Sequence, residues 1–525
     1  MNASHPRESL SEWIDSVERL EFQSLNQDLD VDVCVVGGGV AGITAAYLLQ
    51  NEGKKVCVLE GYEIGSGQTG RTTAHLSSTL DDHFYILEDY FDREGSFLAA
   101  DSHKEAIRTI AKIIYNEKIE CEFEFVNGYL FSETGREEEI IKKEFEAASR
   151  AGLTDLSVAG TLPIPHFEKS PHICFPHQAQ LHPLKYLMAL TKIVENRGGL
   201  IFTHSPVETI QDGVTTYVKS RAGYRVNCKA VVVATNTPIN DQLTIHTKQS
   251  SYRSYVMAFR IPEDSLERAL YWDLADPYHY ARLQGSNVLI VGGEDHKTGQ
   301  ETNPDERFKK LEEWARRVFS MSGEILYKWS GQLMEPVDYL GYLGRNPGDK
   351  NIFIITGDGG HGFTNATIGG LIICDQLMNR RNKWEHLYDP ARVTLRATPR
   401  YLKENLNVAA QYADWISPKN SESISDLQKG QGGVYRQGFQ LIAVYKNDFG
   451  NLQTVSAVCS HLGGIVRWNS VEKSWDCPCH GSRFDVQGQV LEGPAIKDLA
   501  ALELDRPNQS DDPHAYDRPL MPSVP

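Results

Sequence analysis

The sequence predicts an α/β fold built on a parallel sheet, followed by a small all-β domain. Three observations lead there. Residues 31–60 read as strand, glycine-rich turn, helix and strand in succession. Two later apolar runs, 229–235 and 351–355, have the length and composition of buried strands, and the second opens into another glycine-rich turn before a helix. From about residue 421 the texture changes to short strands separated by frequent glycines and turns.

The run Val31–Val36 is apolar and β-branched. Gly37, Gly39 and Gly42 follow it in G-x-G-x-x-G spacing, with Val40 and Ala41 between them. A helical pattern reaches Gln50, Gly53 stops it, and a second apolar run, Val56–Leu59, ends in Glu60. Gly37 lets the chain turn sharply, Gly39 lets the backbone approach a pyrophosphate, and Gly42 lets the helix pack closely on the sheet. The helix N-terminus offers N–H groups and a positive dipole end to phosphates. Glu60 stands where a carboxylate accepts from ribose hydroxyls. The unit reads as a Rossmann-like dinucleotide site. A glycine-rich turn in an ordinary α/β core is the plain alternative, and it leaves Glu60 unexplained.

A chain of 525 residues implies two or three domains. A net charge of −17 argues against a nucleic-acid partner. No apolar run is long enough to cross a bilayer, and the N-terminus lacks a signal-peptide layout. A cytoplasmic protein with no membrane partner is therefore expected, and an oligomer is compatible with the sequence. Of nine cysteines only Cys459, Cys477 and Cys479 cluster, which is metal spacing in a reducing compartment and not a disulfide framework.

Residues 1–29 read as an arm packed on the first domain, with an amphipathic piece around Trp13–Leu20. The loop 61–78 holds four glycines and many hydroxyls, so it can wrap phosphates or a ring. Helical patterns cover 96–116, 136–150 and 184–195, and strand patterns cover 122–131, 200–203 and 207–210. Residues 252–293 carry several strand-like runs. The second glycine turn, 357–364, points a helix end at the carboxyl edge of the sheet, where open α/β sheets bind ligands. Residues 386–420 read as a linker, 421–507 as the all-β domain and 508–525 as a poorly ordered tail.

Together the G-G-G-V-A-G turn with Glu60, the loop G-S-G-Q-T-G-R-T-T, the strand V-V-V-A-T-N and the turn G-D-G-G-H-G-F-T resemble the D-amino-acid oxidase and glycine/sarcosine oxidase family over about 30–385. The resemblance implies extended FAD and an interleaved α+β substrate domain whose sheet roofs the flavin. The FAD part would be about 30–84, 185–245 and 335–385, and the substrate part about 85–184 and 246–334. By position, Gly37, Gly39, Val40, Ala41, Gly42 and Glu60 would hold the adenosine and pyrophosphate, with Ala234 and Thr235 on the following strand. Arg71, Thr72 and Thr73 would lie beside the phosphates and ring, and Val207 near the adenine. Gly359, Gly362, Phe363 and Thr364 would lie at the pyrimidine end. The implied chemistry is hydride abstraction from carbon next to an amine nitrogen.

Two departures bear on the substrate. Relatives that oxidise amino acids hold the carboxylate with a cation, which fixes the reacting carbon. The two positions where the resemblance expects one carry Leu333 and Thr364. A free amino acid is therefore not the expected substrate, and an amine is. No cysteine lies near Trp329–Asp338, so FAD is expected to dissociate, with His75 the residual attachment candidate. Polar candidates on the substrate side are His182, Tyr280, Arg282, Glu294, Asp295, His296 and Gln332. Tyr280 and Arg282 are two apart and so share a strand face. His296 follows a Gly-Gly at a strand end. Arg282, His296 and Tyr280 are the expected catalytic residues.

Downstream, Cys459-x-His461 and Cys477-x-x-His480 place two thiolates and two imidazoles on two loops. Thiolates suit one ferric iron and imidazoles the other, as in a Rieske 2Fe-2S cluster. A Cys2His2 zinc site would use the same donors, but Gly463, Gly464, Pro478, Gly481 and Ser482 also resemble the Rieske loops, as does the stretch 483–495. Respiratory-type loops carry a bridging disulfide. Here Cys479 faces a glycine position, Gly464, so no bridge is expected, and a potential in the lower part of a class spanning very roughly −150 to +300 mV follows. A two-electron flavin fused to a one-electron cluster reads as a dehydrogenase feeding an external carrier. Reversed flow from a donor through the cluster, and a redox sensor without turnover, are the alternatives.

Overall fold

The structure, a computed structural model, describes residues 9–240, 244–301, 303–416 and 424–504. The expected tail at 508–525 lies outside these residues, as do 1–8 of the arm and 417–420 of the linker.

A six-stranded sheet forms the centre of the first domain. Its order is Tyr342–Arg345, Ile352–Thr356, Ala230–Val233, Val33–Val36, Val56–Leu59 and Leu200–Phe202. All neighbours are parallel except the edge strand Tyr342–Arg345. Every residue of Val33–Val36, Val56–Leu59 and Ala230–Val233 is buried, which explains why these runs are uniformly apolar instead of alternating. The helices Val40–Asn51 and Gly362–Leu377 pack on one another beneath the two glycine turns. A small four-stranded sheet, Leu29–Asp30 with Arg225–Cys228, Thr216–Ser220 and Val207–Gln211, covers the far end.

A second sheet has eight strands in the order Ile325–Pro336, Gln249–Arg260, Val288–Lys297, His279–Gln284, Ala269–Asp273, Glu124–Phe131, His172–Gln180 and His75–Leu76. It is antiparallel except where Ala269–Asp273 meets Glu124–Phe131. It stands over the carboxyl ends of the parallel strands. The helical pattern at 96–116 is the second limb of a longer element, Phe84–Glu117, broken at Asp92. The Asp92 carboxylate accepts from the N–H groups of Glu94 and Gly95 and so caps the second limb.

The C-terminal domain is all β, with sheets of three and four strands. The stretch expected to be a plain linker has a structural task. Its helix Thr398–Gln411 and the turn Tyr412–Trp415 after it lie against both domains: Lys297 pairs with Glu404, while Gln411 and Asp414 take Arg467 at 2.8 and 2.6 Å. Tyr412 Oη and Trp415 Nε1 donate to the carbonyls of Leu462 and Gly463 at 2.8 and 2.9 Å, bracing the first Cys–His loop. No helix among the described residues is long and apolar enough to cross a membrane.

Candidate functional site

A cleft of about 480 Å³ runs from the first glycine turn to the underside of the eight-stranded sheet, within the usual size of ligand pockets. Gly37 has φ +110°, and a side chain there would meet the Ala234 carbonyl oxygen at 2.3 Å. A Cβ on Gly42 would stand 1.9 Å from the Gly37 carbonyl oxygen, so only glycine lets the helix start this close to the strand. Gly39 faces the cleft at the helix N-cap. The Glu60 carboxylate accepts from the N–H groups of Gly38 and Tyr62 at 2.6 and 2.9 Å. Its outer edge stays on the cleft, and burial pushes its pKa up.

Of the sequence-predicted cofactor residues, the structure brings Gly37, Gly39, Val40, Ala41, Glu60, Arg71, Thr72, Thr73, Val207, Ala234, Thr235, Gly362 and Phe363 to this one cleft. Gly42, Gly359 and Thr364 lie just behind its wall. Thr364 Oγ1 is taken by His103 Nδ1 at 2.9 Å and donates to the His361 carbonyl. The cleft's glycine-backed wall and helix end fit an extended dinucleotide made of phosphates and ribose.

Arg71 requires a correction. Its backbone borders the cleft, but its guanidinium turns away to the Ser330 carbonyl at 2.9 Å and to Glu472 of the C-terminal domain at 3.2 Å. Arg253 and Arg483 also face Glu472, at 3.4 and 3.6 Å, and Ser9 and Ser330 donate to it. Burial alone would raise this carboxyl. The three guanidinium groups outweigh burial and hold it far below the usual range.

Two of the three expected catalytic residues also lie outside the cleft. Tyr280 lines it and shares a hydrogen bond with Ser254 at 3.0 Å. Arg282 is on the same face but about 7 Å further along the strand. There it is sealed under the N-terminal arm, 5.1 Å over the Trp13 ring and donating to the Leu181 carbonyl. His296 points the other way, with Nε2 2.9 Å from Tyr255 Oη. Alternation turns its neighbour Asp295 toward Ser254 and Tyr280 instead, and burial pushes Asp295 up to about 7. Of the other candidates, only Gln332 lines the cleft.

Residues that sequence reasoning missed form the end of the cleft: Asp81, Tyr278, His361, Asp358 and Trp272. Tyr278 Oη donates to Asp81 Oδ2 at 2.7 Å, and His361 Nε2 stands 3.3 Å from Asp81 Oδ1. Burial would raise Asp81, but His361 and the Tyr278 hydrogen bond prevail and hold it below its ordinary value. Burial would lower His361, but Asp81 prevails and holds it above. The two are paired, and the Asp81 N–H also lies 3.2 Å from His361 Nε2; the pair is ionic when His361 is protonated. Asp358, whose carboxylate accepts from the Met334 N–H at 2.9 Å, is raised to about 6 by burial. His75 also borders this end, neutral, with burial lowering it to about 3. The cue for His361 and Asp358 was present in the G-D-G-G-H-G turn. Asp81 and Tyr278 lie in unpatterned loops and left no signal.

In the C-terminal domain the four predicted metal ligands are paired. The Cys459 and Cys477 thiols hydrogen-bond one another, and the His461 and His480 rings stand 5.2 Å apart. Among the described residues no three His, Cys, Asp or Glu side chains converge as one ion would need. Two thiols beside two imidazoles fit a two-iron group. A Cβ at Gly464 would meet Cys479 Sγ at 2.6 Å and Cys477 Sγ at 3.1 Å, so the glycine makes room for the sulfurs. Cys477 hydrogen-bonding, then burial, pushes the Cys459 thiol well up, and burial lowers His480 to about 3. Metal loading must therefore displace thiol protons, while the imidazole is already neutral.

The family model for FAD dependent oxidoreductases matches residues 32–376, and the model for the Rieske [2Fe-2S] domain matches residues 418–503. The chain belongs to the FAD dependent oxidoreductase family. It is an FAD enzyme with a C-terminal Rieske domain and a 2Fe-2S cluster. It is 28% identical over 499 residues to a protein of Bacillus subtilis (strain 168) named as a Rieske 2Fe-2S iron-sulfur protein, YhfW, covering 94% of this chain and 97% of that one. It is 24% identical to the gamma-glutamylputrescine oxidoreductase of Escherichia coli (strain K12), over 69% of this chain and 87% of the other. A glycine oxidase structure from Geobacillus kaustophilus superposes with a TM-score of 0.59 at 16% identity, over 70% of this chain and 99% of that one, which shows the shared fold.

Proposed function

We propose that the protein is a dehydrogenase of a cationic amine that lacks a carboxylate, and that its electrons leave singly through the cluster to an external one-electron carrier. The observation that carries this reading is the chemistry of the cleft end. Asp81 is held ionised beside Tyr278 and His361, with Asp358 adjoining. The only Lys or Arg side chains on the described cleft wall are Arg71, engaged by Glu472, and Arg221, engaged by Asp498 and the Ile496 carbonyl. A substrate carboxylate has no free Lys or Arg to meet, whereas an ammonium group meets the carboxyls of Asp81, shared with His361 and Tyr278, and of Asp358. The E. coli relative, a gamma-glutamylputrescine oxidoreductase, supports an amine as the reacting group, although the glutamyl part of the compound in its name carries a carboxylate.

When bound, FAD supplies a hydride acceptor and the cluster a one-electron relay. The chain's own residues do the rest. Asp81 orients the ammonium group, Tyr280 with Ser254 borders the reacting carbon, and Trp272 and Leu270 exclude water from it. Anaerobic titration with diamines and secondary amines, against glycine and sarcosine, tests the reading at the flavin absorbance band. Amines should bleach it and amino acids should not. Bleaching by glycine alone, or only after a donor has reduced the cluster, would contradict it, the latter in favour of reversed flow.

A further inference from the structure

Among the described residues, one imidazole lies between the cleft wall and the two Cys–His loops. His246 comes from the flavin domain, in the segment that follows the strand Ala230–Val233. Its ring centroid stands 4.9 Å from that of His461, edge-on, and 5.8 Å from that of His480. It is only 2% exposed. Its Nδ1 lies 3.4 Å from Thr237 Oγ1, and Thr237 lines the cleft. The domains also meet beside Thr237: a side chain on Gly493 of the Rieske domain would meet Ile239 Cγ2 at 3.2 Å and Thr237 Cγ2 at 3.5 Å. One imidazole therefore touches both iron-ligand imidazoles on one side and the cleft wall on the other.

We propose that His246 is the crossing point for electrons between the flavin cleft and the cluster. Electrons cross protein fastest through packed contact, and the iron bound by neutral imidazoles carries less negative charge than its thiolate-bound partner, so it is the one that accepts. His246 packs on the two side chains that hold that iron. A second contact spans the same boundary: Gln332, on the cleft wall, donates through Nε2 to the Gly481 carbonyl at 3.1 Å. That bond reaches loop backbone, one residue from a ligand, and touches no ligand ring.

In each passage one electron leaves the reduced flavin and one ferric iron becomes ferrous. No bond to His246 forms or breaks, His246 neither gains nor loses a proton, and the one bond broken over two passages is the reduced flavin's N–H, whose proton goes to water. Two passages oxidise the flavin fully, with its proton released into the cleft. Each ends when an external one-electron acceptor reoxidises the cluster. The inference needs both groups bound in one chain and does not depend on the amine reading.

The test uses full-length protein carrying FAD and cluster, with a photogenerated deazaflavin radical as electron donor, so no substrate is involved. Flavin and cluster absorbance are followed after the flash, and the electron paramagnetic resonance signal of the reduced cluster reports that it is intact. Wild-type protein should show a concentration-independent phase in which flavin loses its electron as the cluster gains it. His246→Leu should slow that phase roughly tenfold, as loss of a packed contact at a reacting boundary does, with the resonance signal retained. Gln332→Leu should leave it within about twofold. Thr237→Val keeps every ring in place and should slow the phase by about threefold. It decides the matter alone if His246→Leu fails to load its cluster. Unchanged rates in both His246→Leu and Thr237→Val, or slowing confined to Gln332→Leu, would overturn the proposal.

Discussion

The two domains hold their groups by opposite means. The flavin domain surrounds a long cleft chiefly with backbone: glycines that permit close approach, a helix end, and a strand edge spread over more than three hundred residues of sequence. The Rieske domain instead gathers its four expected ligands on two short loops, the first braced from behind by Tyr412 and Trp415. The first arrangement should weaken by degrees as contacts are removed. The second should fail as a whole when one ligand is lost.

The sharpest break in that contrast is Cys459→Ser. It should abolish iron and inorganic sulfide while the flavin spectrum remains, as read by metal analysis and absorbance. Next comes the joint between the domains. Glu472→Gln leaves Arg71, Arg253 and Arg483 facing a neutral amide in a buried site. Breaking such a network costs about 3–5 kcal/mol, measurable in a denaturant melt. The folded value of Glu472 lies below its ordinary 4.5, so its stabilisation is complete above that pH and is lost as pH falls through the folded value. The wild-type protein should therefore lose more stability on acidification than Glu472→Gln does.

Gly42→Ala should be graded. Its Cβ would stand 1.9 Å from the Gly37 carbonyl, so the helix must shift, at a cost of about 1–3 kcal/mol. The variant should show weaker FAD binding in a titration with iron content unchanged. The smallest effect is expected at the cleft end. Asp81→Asn should weaken amine binding by about 1 kcal/mol, roughly fivefold, by flavin difference spectra. Because burial raises Asp358 to about 6, amine binding to the wild-type protein should also tighten as pH rises through that value and this carboxyl ionises.

The same contrast explains what was legible in the sequence. Backbone demands leave glycine signatures, and Cys and His spacings mark candidate ligand sets, so the parallel sheet, the glycine-backed cleft and the two Cys–His loops could be read directly. The substrate end could not, because it is assembled from a sheet whose faces are fixed by register. Asp295 and His296 are adjacent in sequence and point to opposite sides. Tyr280 and Arg282 share a face, yet the N-terminal arm seals only the second. Arg71 sits in a loop motif that resembles a phosphate cradle, and its partner Glu472 is four hundred residues away in another domain. Contacts of that separation have no local signal. The segment holding helix Thr398–Gln411 read as partly helical, but its docking was hidden for a related reason: its buried face consists of polar partners, Glu404 and Gln411, instead of an apolar stripe.

The central claim is that two redox groups in one chain act in series. Anaerobic addition of a diamine, followed at the flavin and cluster bands, tests it most directly. Flavin should bleach first and the cluster second in the same molecule, and Cys459→Ser should keep the first phase and lose the second. Cluster bleaching that precedes flavin bleaching, or both phases persisting in the substituted protein, would contradict it.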